Sequence, residues 1–309
     1  MVTFLKKMKN SPRKILIIGY GSIGRKHAQI LKKFNCKIVI FSKQKNIGFK
    51  TLNEKKEILE YNPDYIIISN NTNKHGEFLK FLEKNLRKKI ILTEKPLLQK
   101  YQKIKLSNNK YLVGYNLRFH PVIQYIKKNL KKDRVNFISV NVSSYLPSWR
   151  TNIDYNKSNT AKKELGGGLL LELSHELDYI RWLFGDINLI YSFSKKISNL
   201  KINTDDILIL FGSIKKRMKV IFNMNFFSRI NKREIIIEGK NFSINADLIK
   251  NEVKFLSKNR IKKFSWKNFN ISDTYKLEHK KIFNNDLKNF CDIDQSMETL
   301  KLIQRIKEN

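Results

Sequence analysis

The stretch Lys14-Ile15-Leu16-Ile17-Ile18-Gly19-Tyr20-Gly21-Ser22-Ile23-Gly24 decides the fold prediction for this chain. Its first five residues are mostly apolar and β-branched, as is typical of a parallel strand buried on both faces. Three glycines follow in Gly-x-Gly-x-x-Gly spacing, and from Ile23 the apolar positions fit a helix to about Phe34. The sequence thus predicts a strand, a tight turn and a helix.

Each glycine of such a unit has a physical task. The first permits the turn, the second lets backbone approach a pyrophosphate, and the third lets the helix pack close to the strand. The N–H groups at the helix N-terminus also favour an anion. We therefore expect a dinucleotide to bind at Gly19, Gly21, Ser22, Ile23 and Gly24. A glycine turn that only packs a helix against a sheet is the alternative.

The end of the second predicted strand, Lys37 to Phe41, bears on the kind of cofactor. Units that bind NAD commonly have an acidic residue about 20 positions past the glycines, where it holds the ribose 2′-hydroxyl. Ser42 and Lys43 stand there instead. A hydroxyl and a cation suit a 2′-phosphate, so the sequence favours NADP slightly over NAD. A solvated surface lysine is the alternative, because lysine is abundant in this chain.

Further apolar runs complete a predicted α/β domain. Residues 64–69, 89–93 and 111–115 predict strands, and the polar cluster at 70–75 can begin a helix that extends to about Leu86. Strands that alternate with helices predict a doubly wound parallel sheet, or Rossmann domain, whose ligands bind beyond the carboxyl ends of the strands. The candidate cofactor-binding residues at these ends are Asn70, Asn71, Thr72, His75, Glu94 and Lys95.

Four motifs together resemble the glucose-fructose oxidoreductase and inositol dehydrogenase family (Gfo/Idh/MocA). They are the glycine loop with Arg25-Lys26-His27, then Asn71-Thr72-Asn73-Lys74-His75, Thr93-Glu94-Lys95-Pro96-Leu97, and Gly166-Gly167-Gly168 ahead of His175-Glu176-Leu177-Asp178. Each motif is short, but their order and spacing are specific. The resemblance spans nearly the whole chain and implies an NAD(P)-dependent oxidoreductase that acts on a sugar, a sugar derivative or a nucleotide-linked sugar.

The resemblance implies catalytic roles for Lys95 and His175. In that family the lysine of Glu-Lys-Pro lies beside the nicotinamide and the substrate hydroxyl, and the histidine precedes x-x-Asp. An imidazole can accept a hydroxyl proton as hydride leaves the same carbon, and an ammonium can stabilise the alkoxide. Taken singly, such residues are more often structural or solvated. The resemblance also suggests a cis bond between Lys95 and Pro96.

Other candidate residues would contact or orient the substrate. The family often has an aspartate four residues before the histidine, where this chain has Leu171. Glu172 can reach the same helix face and is a candidate replacement, with Asp178 as a second orienting residue. Arg118 could meet the substrate or fix the turn between domains. A metal site is not expected, because Tyr179 stands where a zinc-protease motif has its second histidine.

A polar loop ahead of the triple glycine contains further candidates. By the resemblance, Trp149, Arg150 and Tyr155 of this loop lie near the substrate. An ordinary surface loop is the alternative.

The length suits two domains, which we place at 1–118 and 119–309. After a helix predicted over 166–184, strand-like runs separated by turns predict an open, mostly antiparallel sheet in an α+β domain. A closing helical segment is expected at about 286–306 and could pack back on the Rossmann domain. In the resembling family the open sheet pairs subunits, which implies a homodimer or homotetramer.

The formal net charge of +35 admits a different class of function. Neutralised phosphates supply most non-specific affinity for nucleic acids. The lysines are nevertheless spread along the chain, without an arginine-rich arm or an aromatic-studded basic strand. Abundant Lys, Asn and Ile are what AT-biased codon usage produces, so no nucleic-acid partner is expected. Nucleic-acid binding stays a minor alternative, as does a non-catalytic nucleotide-sensing regulator on the same fold.

The remaining composition points to the cytoplasm. Two cysteines give no disulfide framework, as suits a reducing compartment. Residues 1–12 lack the apolar core of about 7 to 15 residues that a signal peptide needs. No run approaches the roughly 18 apolar residues of a membrane span, so no membrane partner is expected.

Overall fold

The computed structural model of the chain describes residues 12–130, 134–149, 154–258 and 260–309. The chain divides into two compact units. The first extends to Leu97 and includes Lys103–Gly114, whereas the second comprises Leu98–Gln102 and Tyr115–Asn309. The passage from one to the other at Gly114 and Tyr115 lies four residues before the boundary expected at 118 and 119. That these units are separate functional domains stays a prediction.

The first unit contains a six-stranded parallel sheet. Its strands are β1 (Arg13–Ile18), β2 (Cys36–Phe41), β3 (Lys50–Leu52), β4 (Tyr65–Ile68), β5 (Ile90–Glu94) and β6 (Lys110–Gly114). They pair in the order β3-β2-β1-β4-β5-β6, the strand order of a Rossmann fold. All four residues of β4 are fully buried, as expected of a strand covered on both faces. The predicted doubly wound sheet is confirmed.

The described residues of this unit form three α-helices, and each follows a strand. They are α1 (Ser22–Leu31), α2 (Lys55–Tyr61) and α3 (His75–Asn85). α1 buries Gly24, His27, Ala28 and Leu31, which recur at three- and four-residue spacing along one face. It ends three residues before the predicted limit at Phe34.

The second unit contains an eight-stranded sheet. Its strands are β7 (Val135–Tyr145), β8 (Ile187–Lys195), β9 (Ile207–Ile214), β10 (Met218–Asn225), β11 (Phe227–Gly239), β12 (Phe242–Asp247), β13 (Glu252–Ser257) and β14 (Arg260–Ser265). They lie in the order β14-β13-β12-β11-β7-β10-β9-β8. All neighbours are antiparallel except β7 and β10, which run parallel. The predicted mostly antiparallel sheet is confirmed.

The helices of the second unit are α4 (Pro121–Asn129), α5 (Leu169–Glu172), α6 (Ser174–Phe184), α7 (Ile271–Phe283) and α8 (Ile293–Glu308). The single helix predicted over 166–184 is wrong at its start. Gly166 and Gly168 have φ of +85° and +112°, a region that helical backbone does not enter. Helical structure therefore begins only at Leu169, and Leu173 separates α5 from α6.

α8 closes the chain within the second unit. It packs against β8 and α6 and buries Met297, Leu300, Ile303 and Ile306. A helix is thus present where the closing segment was expected at about 286–306, but it begins only at Ile293. Packing of this helix on the first unit stays a prediction.

The large sheet has one covered face and one open face. On β9, Leu208 and Leu210 are fully buried, while Ile209 and Phe211 alternate with them and are each 37% exposed. Tyr191 on β8 pairs with Phe211 and is 55% exposed. The alternation leaves large apolar side chains on the open face.

Candidate active site

The first and third glycines of the loop are required by packing. Gly19 has φ of +93°, and its N–H donates to Phe41 O at 3.0 Å. A Cβ added to Gly19 would lie 2.7 Å from Asn70 Cα, and one added to Gly24 would lie 2.2 Å from Gly19 O. These distances are far shorter than van der Waals contact, so a larger residue at either position would displace the turn. The two glycines bring β1, α1 and the end of β4 together.

The second glycine differs, because packing does not require it. Gly21 has φ of −75°, and no described heavy atom other than its chain neighbours lies within 4 Å of a Cβ built on it. It is the N-cap of α1, whose first turn has no acidic residue and no side-chain cap among the described residues. The positive end of α1 therefore faces open space. These features fit the pyrophosphate of a dinucleotide.

The turn after β2 holds Ser42 and Lys43. Ser42 N donates to Leu52 O at 3.2 Å, and Ser42 Oγ accepts a hydrogen bond from Gln44 N at 3.1 Å. Gln44 Nε2 reaches Tyr20 O at 3.5 Å, in the middle of the glycine loop. Lys43 is exposed. The turn is thus held by both backbone and side-chain hydrogen bonds, with the Lys43 cation at the surface.

The end of β4 carries the polar cluster expected at a carboxyl end. Thr72 begins a short 3-10 turn that leads into α3. The His75 ring is buried, with Nδ1 3.1 Å from Pro96 O and Nε2 3.0 Å from Asn70 O. Burial lowers the pKa of His75, so the neutral ring donates to one carbonyl at a time. His75 therefore ties the β4 turn to the loop that carries Lys95.

An unsatisfied polar atom lies in the same cluster. Asn70 Oδ1 is buried and has no hydrogen-bond partner among the described residues. Such atoms are rare in folded proteins and call for a ligand or an ordered water. Asn70 is also the residue that crowds Gly19, so this atom lies close to the glycine loop. Both features agree with the predicted cofactor contact at Asn70.

Glu94 is buried at the end of β5 and is bound to α1. His27 Nε2 and Glu94 Oε1 lie 2.8 Å apart, and the His27 side chain is fully buried. A Cβ on Gly114 would lie 2.9 Å from the same Glu94 oxygen, so the glycine leaves room for the carboxylate. The following Lys95–Pro96 bond is cis, which confirms that prediction. Sequence reasoning did not find His27 as the partner of Glu94.

His175 is the second residue of α6 in the second unit. The residue is largely buried, with 9% of its surface exposed. The Tyr115 ring meets it edge to face, with ring centroids 5.6 Å apart. Burial raises the pKa of the Tyr115 hydroxyl well above its usual range, so this group stays neutral. Tyr115 was not singled out in the sequence.

Arg118 and Asp178 form a buried two-pronged ion pair. Arg118 Nε and Nη2 donate to the two Asp178 oxygens at 2.8 and 2.7 Å, and Nη1 donates to Gln295 Oε1 at 2.6 Å. Burial acts to lower the pKa of the Arg118 guanidinium, but Asp178 outweighs it and raises that pKa. Of the two roles considered for Arg118, these contacts favour fixing the fold over meeting a substrate. Asp178, three residues after His175, is therefore held firmly.

The remaining predicted substrate residues lie in the same unit. Glu172 Oε1 accepts a hydrogen bond from Thr160 Oγ1 at 2.8 Å. Trp149 is 39% exposed, and its Nε1 donates to Ser144 Oγ at 3.0 Å. Tyr155 accepts at its hydroxyl from Lys201 N at 3.0 Å. Arg150 lies outside the described residues.

A second ion pair on α6 was not foreseen. Glu176 directly follows His175 and is fully buried, and Arg233 Nε on β11 donates to its Oε1 at 2.7 Å. The two residues are 57 positions apart. The only sequence signal was an acidic residue inside an otherwise apolar helix face.

Comparison with protein families gives one assignment. Residues 133–245 match the family model described as the GFO/IDH/MocA C-terminal domain. The chain therefore carries that domain, and the family prediction made from its motifs is confirmed. A search of curated protein sequences found no match.

Several solved structures share the fold over nearly the whole chain. A levoglucosan dehydrogenase in complex with NADH is 16% identical with a TM-score of 0.81, covering 96% of each chain. The UDP-N-acetylglucosamine 3-dehydrogenase GnnA from Acidithiobacillus ferrooxidans is 14% identical with a TM-score of 0.74, over 96% of this chain and 97% of that one. The WlbA dehydrogenase from Bordetella pertussis, in complex with NADH and UDP-GlcNAcA, is 16% identical with a TM-score of 0.75 over 96% of each chain. At such identities these likenesses establish the fold.

Two features are absent from the part of the chain that the structure describes. No helix there has the length and apolar character needed to cross a membrane. No group of three or more His, Cys, Asp and Glu side chains there is placed to hold a metal ion.

Proposed function

We propose that the chain is an NAD(P)-dependent oxidoreductase that transfers a hydride between the nicotinamide and a secondary alcohol or ketone of a sugar-like substrate. The observation that carries this proposal is the open space at Gly21 beside the uncapped N-terminus of α1. This space lies on a sheet with Rossmann strand order. The GFO/IDH/MocA domain and the NADH-bound structural neighbours support it.

The chain's own residues would divide the work as follows. Ser22, Ile23 and Gly24 would offer backbone N–H groups to the phosphates, because no side chain in the described chain caps this turn. When bound, the nicotinamide would accept or supply the hydride. His175 would take or return the hydroxyl proton, and the Lys95 ammonium would stabilise the oxygen as negative charge develops on it. This division of roles rests on the family resemblance.

The fixed groups around Lys95 and His175 would hold these side chains in position. Glu94, bound to His27, precedes Lys95 on the chain. Asp178, bound by Arg118, follows His175 by less than one helical turn. We assign Asp178 an orienting role for this reason. Glu172 is the candidate carboxylate nearest to the position where the family has aspartate, and its bond to Thr160 would fix its direction.

The substrate class is inferred from the neighbours. Their names record levoglucosan, UDP-N-acetylglucosamine and UDP-GlcNAcA as substrates or bound compounds. We therefore propose a sugar, a sugar derivative or a nucleotide-linked sugar for this chain. Trp149 and Tyr155 would lie near that substrate, as the resemblance implies. Ser42 and Lys43 support a slight preference for NADP over NAD.

We also propose that the open face of the large sheet pairs with a second copy of the chain. Tyr191, Ile209 and Phe211 present a continuous apolar strip on β8 and β9. Exposed apolar strips of this kind mark interaction sites in soluble proteins. By the family resemblance, the partner that covers this face is a second copy of the chain.

The test is turnover with a panel of the compounds named for the neighbours. Purified protein would be assayed with NAD and NADP by nicotinamide absorbance against levoglucosan, UDP-N-acetylglucosamine and UDP-GlcNAcA. We expect turnover with at least one, and at least about a hundredfold lower kcat for Lys95→Ala with nearly unchanged NADH affinity. Lys84→Ala, an exposed lysine on α3, is the matched control.

Three results bear on the proposal in different ways. Near-normal kcat in Lys95→Ala would remove Lys95 from the chemistry. Nucleotide binding without turnover on a broad polyol and sugar panel would favour the nucleotide-sensing regulator. Absence of nucleotide binding would contradict the oxidoreductase altogether.

A further inference from the structure

Helix α6 is anchored by two arginines that reach it from different parts of the second unit. Arg118 lies in the 3-10 turn Asn116–Phe119 and binds Asp178. Arg233 lies on β11 and binds Glu176 through Nε at 2.7 Å. Both carboxylates are buried, with exposures of 1% for Asp178 and 0% for Glu176. His175 directly precedes Glu176 and lies three residues before Asp178, so both ion pairs hold the helix close to His175.

Helical geometry places the two anchors on opposite sides of His175. Residues advance by about 100° around an α-helix, so Glu176 lies about 100° to one side of His175. Asp178 lies about 60° to the other side, and the two anchors are about 160° apart. One ion pair could act as a pivot about which the helix turns. Two pairs on nearly opposite sides fix the rotation of the helix about its axis.

The Glu176 pair has a form that suits positioning. Glu176 Oε2 is buried without a hydrogen-bond partner among the described residues, whereas Oε1 accepts from Arg233 Nε. The nearby Tyr179 hydroxyl is also fully buried, and first its burial and then the Glu176 charge raise its pKa. A buried carboxylate that is paired with a cation resists movement, because moving away from the cation leaves a buried charge unpaired.

We infer that Arg233 is a positioning residue that acts through Glu176 to set the direction of the His175 imidazole. This inference rests on the proposed function, in which His175 exchanges the substrate proton. A side chain lies about 5 to 6 Å from the helix axis, so a rotation of about 10° moves it by about 1 Å. A misplacement of about 1 Å at a reacting group can cost about a hundredfold in rate. Loss of one anchor would therefore act mainly on kcat.

The first experiment compares Arg233→Gln with Arg233→Lys. We expect kcat to fall about ten- to a hundredfold in Arg233→Gln, with KM for the nicotinamide cofactor changed less than about twofold. Arg233→Lys keeps a donor for Glu176 and should recover most of this loss. Lys263→Gln is the matched control, since it breaks a half-exposed pair with Glu252 on β13 and β14. It should leave kcat unchanged.

A double variant guards against misfolding. Arg233→Gln combined with Glu176→Gln removes the unpaired buried charge while two amides can still hydrogen-bond. We expect this variant to fold and to retain the kcat defect, because a neutral amide pair holds the helix less firmly. Normal kcat in a folded double variant would overturn the inference.

A direct measurement of the imidazole separates this inference from the proposed function. The chain has five histidines, so the His175 ring signal can be assigned by its loss in His175→Gln. NMR of ring-labelled protein should show that signal displaced in the double variant and unmoved in Lys263→Gln. An unmoved signal would contradict the positioning role even if no substrate were found. A displaced signal in a protein without turnover would instead contradict only the proposed function.

Discussion

His27 Nε2 and Glu94 Oε1 lie 2.8 Å apart in the interior of the first unit. This contact connects α1, which begins in the glycine loop, to the strand end that carries Lys95. His75 makes a comparable link between Asn70 O and Pro96 O. The loops proposed to hold the dinucleotide are therefore joined by buried histidines rather than by surface contacts. Their geometry should depend on the partners of these two rings.

Removal of the Glu94 carboxylate should destabilise the first unit. In Glu94→Ala the buried Nε2 of His27 loses an acceptor, and we expect a loss of about 1–3 kcal/mol in the free energy of unfolding. Glu94→Gln keeps an acceptor oxygen and should lose less. Urea unfolding of both variants measures the difference. Equal stability of Glu94→Ala and the parent chain would show that the contact contributes nothing.

Alanine at the second and third loop glycines should have opposite consequences. Gly21→Ala meets open space at an ordinary φ, so the fold should be kept while nucleotide affinity falls at least about tenfold. Gly24→Ala would place its Cβ 2.2 Å from Gly19 O and should destabilise the chain. Thermal unfolding and an NADH titration give both quantities. Full nucleotide affinity in Gly21→Ala would count against a phosphate site there.

Stability should fall in acid partly through His120. This buried residue caps α4, with Nδ1 accepting from Val122 N at 3.3 Å, and burial, followed by the Arg233 charge, lowers its pKa to about 4. The unfolded chain binds the proton at about pH 6.5, so between about 6.5 and 4 the unfolded state holds more protons. The free energy of unfolding should therefore decrease as pH falls through this window, by an amount on the order of 3 kcal/mol in full.

His120→Asn isolates this contribution. Asparagine is a good N-cap and does not titrate in this range. Urea unfolding at several pH values between 4.5 and 7.5 should show a smaller pH slope in the variant than in the parent chain. His75, whose pKa is also lowered by burial, contributes a slope of the same sign in both proteins. Identical slopes would rule out His120 as a titrating group here.

The open sheet face should hold the oligomer together. Phe211→Lys places a charge in the apolar strip, beside the cross-strand neighbour Tyr191. We expect light scattering after size exclusion to show an oligomer for the parent chain and a smaller species for this variant. Ile249→Lys, at a position 53% exposed outside the strands, is the control and should not change the mass. A monomeric parent chain would contradict the proposed pairing.

The sequence predicted the first unit better than the second for a physical reason. Central parallel strands such as β1 and β4 are continuous apolar runs, so their limits were predicted to within about one residue. β14 escaped prediction because four of its six residues are exposed and charged or polar at an edge of the sheet. α7 escaped because it buries the polar side chains Thr274, Glu278 and His279, which obscure an apolar stripe.

In the candidate site, the sequence predicted short motifs but not contacts between residues far apart along the chain. The roles proposed for Gly21 and Lys95 depend on short motifs, where spacing carries the chemistry. The partners of Glu94 and Glu176 lie 67 and 57 residues away along the chain, so one sequence offers no signal for them. The helix predicted across Gly166 and Gly168 was wrong because positive φ at glycine interrupts a helix in ways that apolar periodicity does not report.

The most direct test of the dinucleotide site is a fluorescence titration of the purified protein with NADH and NADPH. Each would be titrated at low salt and at about 0.5 M salt, where charge screening is strong. We predict saturable binding that survives high salt, with NADPH bound more tightly if Ser42 and Lys43 recognise the 2′-phosphate. No binding of either nucleotide, or binding that disappears with salt, would contradict the site at Gly21 and leave the +35 charge as the feature to explain.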